Sequence, residues 1–475
     1  MPLPRLLIIA CLMVWSLQAQ TRPNLVLILA DDMGWNNLNC YGSDLHESPH
    51  LDRLAREGVR FTNAYAASPV CSPTRASIMT GKSPARLHMT LWREGAASGQ
   101  PNRPMIGGKA IDSLPTANET LAEVLREAGY YTAHIGKWHL GRPKGYPQAH
   151  GFRVNIGGTL WGAPETFFYP YSEERADYFE DWRYVPDLEP GNPGDYLTDR
   201  LTDKALEVIE NHRNRPFFIN LWFYSVHTPV EGKPKLVEKY RDKIRTQSPT
   251  IHTNPHLAAM VESVDQNVGR ILSRLKALQL EDNTIVLFAS DNGGYIGRCK
   301  RHPDFPVTDN TPLRSGKGSC YEGGLRIPMI VKGPGLRRGG DCAIPVVTTD
   351  LYSTLLGFAG LTKAVQPGPD GVNLLPVLRD PEVDLDRTEL FFHYPHYYAT
   401  TTPVSAIRSG DWKLLYYYQE NRPELYHLGR DPAERRDMAE AEPARVSQLL
   451  SRMRQWLVES GAQLPTWPDE SVSSR

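Results

Sequence analysis

The sequence is poor in three things. It has almost no net charge, with 53 basic and 54 acidic residues giving −1 at pH 7. Nothing global therefore drives it onto nucleic acid or an anionic membrane, and any basic site must be local. Beyond the N-terminus no stretch is long and apolar enough to span a bilayer, and no hydrophobic hairpin stands ready to enter one. Clusters of thiolates and paired imidazoles are missing near the acidic motifs, which disfavours zinc. There is no internal repeat and no low-complexity tract.

What is present is an ordinary globular composition, 40% hydrophobic and 23% charged, on a chain long enough to bury a sizeable core. Residues 1–20 have the build of a secretory signal peptide. Arg5 supplies the positive charge, Leu6–Leu17 the apolar region and Ala19 the small residue before cleavage. An apolar run of about 12 residues is too short for a membrane anchor. Removing Cys11 with this segment leaves Cys40, Cys71, Cys299, Cys320 and Cys342, an odd number that flags one special thiol. If Cys71 is that thiol, the other four either form up to two disulfides or stay reduced and buried.

Strand–helix units follow one another. "NLVLILA" (24–30) is a continuous apolar run, as a buried parallel strand requires. "TANETLAEVLREAG" predicts a helix opened by a capping box from Thr116 to Glu119. A strand over 131–135 ends at "GKWHLG". "LTDKALEVIENH" is helical, and "FFINLWFYS" is a strand ending at His227. Leu257, Val261, Val264, Val268, Ile271, Leu272 and Leu275 lie at helical spacing, and the strand "TIVLFAS" then ends at Asp291-Asn292. Four times an apolar strand runs out into polar, chemically capable residues. Parallel sheets bind ligands at the carboxyl ends of their strands, so positions 31, 137, 227 and 291 should converge. From about residue 370 the character changes to a loop, "GPDGVNLLPVLRDPEVD", then a hairpin turning at Ser409-Gly410-Asp411 and a polar helix at about 442–459. The division predicted is a signal peptide over 1–20, a catalytic α/β domain over 21–370 and an α+β subdomain over 371–475.

Asp31, Asp32, Asp291 and Asn292 offer oxygen ligands suited to a hard divalent cation, though each pair alone is equally an acidic loop or an Asx turn. Lys137 and His139 flank Trp138, and residues two apart in an extended segment share a side. His227 and Lys317 stand in loops that are individually unremarkable.

The segment "CSPTRASIMTG" (71–81) differs in kind. With "ADDMGW", "GKWHLG", "SVHTP", "SDNGG", "LRSGKG", "EGGLRIP" and "ELYHLGRDPAE" following in that order around it, the chain resembles the sulfatase family over about residues 23–440. The motifs are those of its formylglycine-dependent members, which include arylsulfatases. Thr74 and Met79 depart mildly from the usual Ser and Leu. The resemblance implies an alkaline-phosphatase-like fold: a large mixed, mainly parallel sheet flanked by helices, with a smaller C-terminal antiparallel subdomain. It implies that a formylglycine-generating or anaerobic maturation enzyme converts Cys71 to 3-oxoalanine. The hydrated aldehyde would attack sulfur through one hydroxyl and expel sulfate by ionising the other. It implies one calcium ion on Asp31, Asp32, Asp291, Asn292 and the modified Cys71. Arg75 would support the diol and the metal, and Lys137 and Lys317 would neutralise sulfate oxygens. His139 would be the base that releases sulfate, and His227, with Lys317, the acid for the leaving alcohol. Pro73 would occupy N1 of a helix whose N-terminal N–H groups face the anion.

The resemblance points to a sulfated carbohydrate as substrate and to an exported, periplasmic or secreted protein, lysosomal only in a eukaryotic host. Aromatic and basic residues in the loops, Trp161, Arg298, His302 and His393, are the candidates to read the sugar. Two alternatives stand beside the sulfatase: a phosphonate or phosphodiester hydrolase of the same superfamily, and a glycan-binding relative without catalysis. Relative rates on aryl sulfate and aryl phosphate separate the first. The full set Cys71, Arg75, Lys137, His139, His227 and Lys317 argues against the second.

Overall fold

The computed structural model describes residues 22–172, 184–361 and 370–468; the signal segment and Cys11 lie outside the described residues. Its centre is a nine-stranded sheet. The strands are β1 (Asn24–Ala30), β2 (Val59–Tyr65), β3 (Tyr131–Gly136), β4 (Val154–Ile156), β5 (Phe217–Trp222) and β6 (Thr284–Ser290), then β9 (Arg326–Lys332), β10 (Asp341–Cys342) and β11 (Val346–Val347). A short hairpin, β7 (Arg298–Cys299) and β8 (His302–Pro306), lies between β6 and β9 in the chain. The order across the sheet is β10-β2-β9-β6-β1-β5-β3-β4, with β11 also on β2. The neighbours β6, β1, β5, β3 and β4 run parallel, and β9 runs antiparallel to β6 and β2.

Both faces of this sheet are covered, and β1 shows why its sequence is apolar throughout. Val26, Ile28 and Ala30 pack into one core with the helices Leu197–Asn211 and Pro255–Ala277. Leu25, Leu27 and Leu29 pack into a second core with the helices Cys71–Thr80, Leu121–Glu127 and Asp350–Phe358. Alternate residues face opposite sides of a strand, so a strand buried on both sides has no polar positions.

Three local expectations are corrected. The capping box is Thr120 with Glu123, one turn later than Thr116–Glu119, because Leu121 is the first residue of the helix. Pro73 is the third residue of the helix Cys71–Thr80, which begins at Cys71 itself. It still costs nothing there, since first-turn N–H groups have no intrahelical partner. The loop after residue 370 contains a short helix, Leu375–Arg379, whose Val377 and Leu378 join the second core.

The C-terminal part is an antiparallel sheet of β12 (Glu389–Tyr394), β13 (Val404–Ser409), β14 (Trp412–Tyr417) and β15 (Arg422–His427). The β13–β14 hairpin turns at Gly410, whose φ of 57° suits glycine. One face carries Ile407, Leu414 and Leu425 against the helix Pro443–Glu459. The other carries Phe392, Ala406 and Leu415 against Tyr65 and Val70 of the main body. A buried ion network crosses this junction. Lys413 Nζ lies 2.9 Å from Glu322 Oε1 and 3.0 Å from Glu434 Oε1, and Tyr65 donates to Glu322 Oε2 at 2.7 Å.

Candidate active site

The four strand ends predicted to converge belong to neighbouring strands, β6, β1, β5 and β3, and the polar residues after them meet above the carboxyl edge of the sheet. Asp31 and Asp32 follow β1, Lys137 and His139 follow β3, His227 lies five residues past β5, and Asp291 and Asn292 follow β6. Cys71 and Arg75 come from the helix after β2, and Lys317 from the loop before β9.

Buried charge is paired throughout. Lys137 Nζ donates to Asp31 Oδ2 at 2.6 Å. Arg75 grips Asp291 Oδ2 through Nε at 2.9 Å and a terminal nitrogen at 2.8 Å, and donates to the Lys137 carbonyl at 3.1 Å. Lys317 Nζ lies 2.7 Å from Asp32 Oδ1 and 2.9 Å from Oδ2, and the Asn292 amide donates to Asp32 Oδ1 at 2.7 Å. His227 Nε2 is 3.6 Å from Asp32 Oδ2, while its Nδ1 lies 2.7 Å from the Thr228 carbonyl, which fixes the proton on Nδ1 when the ring is neutral.

These partners set the charge states. Burial works to raise Asp32 and Asp291, but Lys317 and His227 hold the first below the usual carboxylate range and Arg75 holds the second there. Asp31 goes the other way, pushed up to about 8 by burial and the neighbouring Asp291. Burial, with Lys317, lowers His227 to about 3, and burial lowers His139 to about 4. The Cys71 thiol is pushed up to about 12 by burial, against the pull of Lys137 and Lys317.

The donor set fits a hard cation. One ligand atom each of Asp31, Asp32, Cys71 and His227 lies within 4.8 Å of the others. Asp31 Oδ1 and Asn292 Oδ1 are buried oxygens with no hydrogen-bond partner, which is costly unless something else binds them. A divalent ion would draw Asp31 into its ionised form, so that three carboxylates face three side-chain cations and the ion, leaving two excess positive charges complementary to an anion.

Two joined cavities open here. The inner one, about 280 Å³, is lined by Cys71, His139, His227, Lys317, Trp92, Glu94 and Tyr398 among others. The outer one, about 670 Å³, shares His227, Lys317 and Tyr398 and has Arg298, Lys300 and Arg301 on its wall. Of the residues predicted to read a sugar, the structure brings Arg298 to this wall and leaves the others outside both linings. Trp161 precedes the lining residues Gly162 and Ala163. His302 stacks on His256 at 3.6 Å. His393 is corrected outright: it is buried in β12, one nitrogen on Ser405 Oγ at 2.7 Å and the other on the Gln463 carbonyl at 3.0 Å, so it packs the C-terminal sheet instead of facing solvent. The five described cysteines are free thiols. The aromatic run "FFHYPHYY" (391–398), expected near the rim, brings Tyr398 to both linings, whereas neither Glu94 nor Trp92 lies at a strand end or in a motif that singled it out.

Comparison with known proteins settles the family. The sulfatase family profile matches residues 23–361. The chain belongs to the sulfatase family. Residues 316–463 of this sulfatase also match the profile of the N-sulphoglucosamine sulphohydrolase C-terminal region. It is 31% identical to human N-acetylgalactosamine-6-sulfatase, over 91% of this chain and 84% of the relative. It is 32% identical to a sulfatase of Formosa agariphila, over 94% and 91%. The crystal structure of Ps i-CgsB superposes with a TM-score of 0.74 at 28% identity, covering 92% of this chain and 93% of that one. The protein is a sulfuric ester hydrolase with the mixed α/β body and separate antiparallel C-terminal sheet of its relatives. No helix among the described residues is long and apolar enough to cross a membrane.

Proposed function

We propose that this sulfatase removes sulfate from a sulfated carbohydrate, using a formylglycine made from Cys71 and one calcium ion. The observation that carries the reading is the convergence of Cys71 with three carboxylates and three cations at adjoining parallel strand ends. Asp31, Asp32, Asp291 and Asn292 would hold the ion, with the residue-71 oxygen beside them. A hard ion there lowers the cost of an anionic oxygen and polarises the sulfate, and the hydrated aldehyde supplies the attacking oxygen.

The other side chains bind the sulfate and move protons. Lys137 and Lys317 neutralise sulfate oxygens as charge builds on them, and Arg75 holds Asp291 in place. Burial opposes charge on Lys317, but Asp32 together with the other acidic groups around it, Asp31 among them, keeps the ammonium protonated. His227 and Lys317, both beside Asp32, protonate the leaving alcohol; an anionic ester entering the cavity raises the proton affinity of both. His139 takes the proton whose removal at residue 71 releases sulfate.

A saccharide is favoured by the outer cavity, which is wide and polar-walled. Arg298 donates to the Pro303 carbonyl and Lys300 stands exposed beside it, so both are available to anionic or hydroxyl groups of a sugar. Two of the named relatives point the same way: the human one is an N-acetylgalactosamine-6-sulfatase, and Ps i-CgsB was crystallised in complex with a k-i-k-neocarrahexaose. Export through the N-terminal signal and encounter with a maturation enzyme complete the reading. The test is a screen of defined sulfated mono- and disaccharides with sulfate release as readout, beside aryl sulfate and aryl phosphate. Turnover of aryl phosphate alone would instead support a phosphohydrolase, and binding without turnover a glycan binder.

A further inference from the structure

Glu94 belongs to none of the motifs that carry the sulfatase resemblance, yet it touches one of the proposed proton carriers. Its Oε2 accepts from His139 Nε2 at 2.6 Å, and its Oε1 accepts the Gly162 N–H at 3.1 Å. The contact is held from several sides. Ser72, next to the proposed nucleophile, donates its hydroxyl to the His139 carbonyl at 2.8 Å and accepts the Arg93 N–H at 3.1 Å. The backbone before Glu94 and the backbone of His139 thus share one hydroxyl. Gly162 lies on the imidazole so closely that a Cβ there would sit 2.6 Å from Cε1 and 2.8 Å from Nε2. A side chain at position 162 would therefore displace the ring from Glu94. Its other nitrogen, Nδ1, is buried and has no hydrogen-bond partner.

A carboxylate only accepts, so the atom facing Glu94 must carry hydrogen. We infer that Glu94 is the positioning residue for His139: it holds the ring proton on Nε2 and so leaves Nδ1 as the atom able to take a proton. Two further facts agree. Burial lowers His139 to about 4, which keeps the ring neutral near pH 7 with one bare nitrogen. Burial opposes charge on Glu94, but His139 outweighs it and holds the carboxyl below its ordinary range. Other groups facing the ring are Lys137 and Arg75, both cations, which disfavour an imidazolium further. Nδ1 receives one proton from the hydroxyl at residue 71, the Nε2 proton stays against Glu94, and the imidazolium so formed is stabilised by that carboxylate. This inference rests on the reading of His139 as a base.

The substitution Glu94→Gln tests it because the amide cannot reproduce the carboxylate. Its oxygen can accept from Gly162 or from His139, but its NH₂ must then face the other donor. The arrangement that satisfies every group puts the oxygen on Gly162 and the NH₂ on a bare Nε2, with the ring proton moved to Nδ1. The full chain, made without a maturation system so that Cys71 stays a thiol, is labelled with ¹⁵N-histidine. His139 is assigned by the signals missing from His139→Asn. The wild-type chain should show hydrogen on Nε2 and a bare Nδ1, and Glu94→Gln the reverse. A proton on Nδ1 in the wild type, or one tautomer in both proteins, overturns the inference. The matured enzymes are then compared on nitrophenyl sulfate. Glu94→Gln should lose about 10–100-fold in kcat, part of what a lost general base costs, with KM little changed. Unaltered kcat beside an inactive His139→Ala also overturns it, whereas a fully active His139→Ala would instead remove the base reading on which it stands.

Discussion

Replacing His227 by alanine should cost activity in proportion to how much the leaving group needs a proton. In the structure His227 Nε2 and Lys317 Nζ approach the same carboxylate, Asp32, at 3.6 Å and 2.7 Å. Truncating the imidazole leaves Lys317, a charged donor, beside the same carboxylate. General acid catalysis is worth about 10²–10⁴-fold where it is required. With Lys317 in place, the loss on a sulfated sugar should fall in the lower half, about 10²–10³-fold in kcat/KM, or about 3–4 kcal/mol of transition-state stabilisation. A nitrophenolate leaves without help, so on nitrophenyl sulfate the same variant should lose less than about tenfold. The assay is kcat/KM for both substrates with wild type and His227→Ala under identical conditions. Lys317→Ala should hurt both substrates strongly, since its charge also faces the sulfate. Equal losses for His227→Ala on sugar and aryl substrates would refute the reasoning and make His227 a sulfate-binding or loop-ordering residue.

Asp291→Ala should lower calcium content, measured by elemental analysis, together with activity; it also strands Arg75, fully buried, at a cost of about 3 kcal/mol visible in thermal unfolding. Calcium retained at full occupancy would mean that Asp291 serves Arg75 alone. Enzyme matured at residue 71 should yield an active-site peptide lighter than its cysteine form and inert to thiol alkylation, and Cys71→Ser should abolish turnover while leaving the fold intact; an active enzyme whose Cys71 alkylates fully would sink the formylglycine reading. Acid should destabilise the protein as the pH falls below about 6.5, where buried neutral histidines begin to matter. Burial lowers His134 and His396 to about 3 and His393 to about 4, so each binds a proton more readily when unfolded. The stability from their neutral burial is full above the unfolded value of about 6.5 and falls as pH drops below it, by about 2 kcal/mol each at pH 5. A melting temperature flat from pH 8 to 5 would contradict this.

Periodicity and punctuation carried most of the fold in the sequence alone. A strand covered on both faces has to be apolar at every position, so β1, β5 and β6 announced themselves, and the helix Pro255–Ala277 did so by its spacing. The residues past those strands were legible because a buried strand must end before a charged group can begin. Nothing local said that β6, β1, β5 and β3 would be neighbours, and that order is what gathers Asp31, Lys137, His227 and Asp291. Nor did local signals distinguish the capping box at Thr120 from one at Thr116, since both offer a threonine three residues before a glutamate. His393 and Glu94 mark the same limit from opposite sides. An aromatic, polar loop is equally consistent with a sugar-binding histidine and with a packed one, and only the pairing of β12 with β13 turned His393 inward onto Ser405. Glu94 looked like one acidic residue among many; its meaning comes from His139, 45 positions away, which the folded chain sets 2.6 Å from its carboxylate. Which elements form, and which chemical groups the chain possesses, could be read along the chain, because those follow from neighbours a few residues apart. Tertiary structure alone decided which groups face each other and which are buried, because an ion pair or a ring tautomer depends on atoms that only long-range packing brings together.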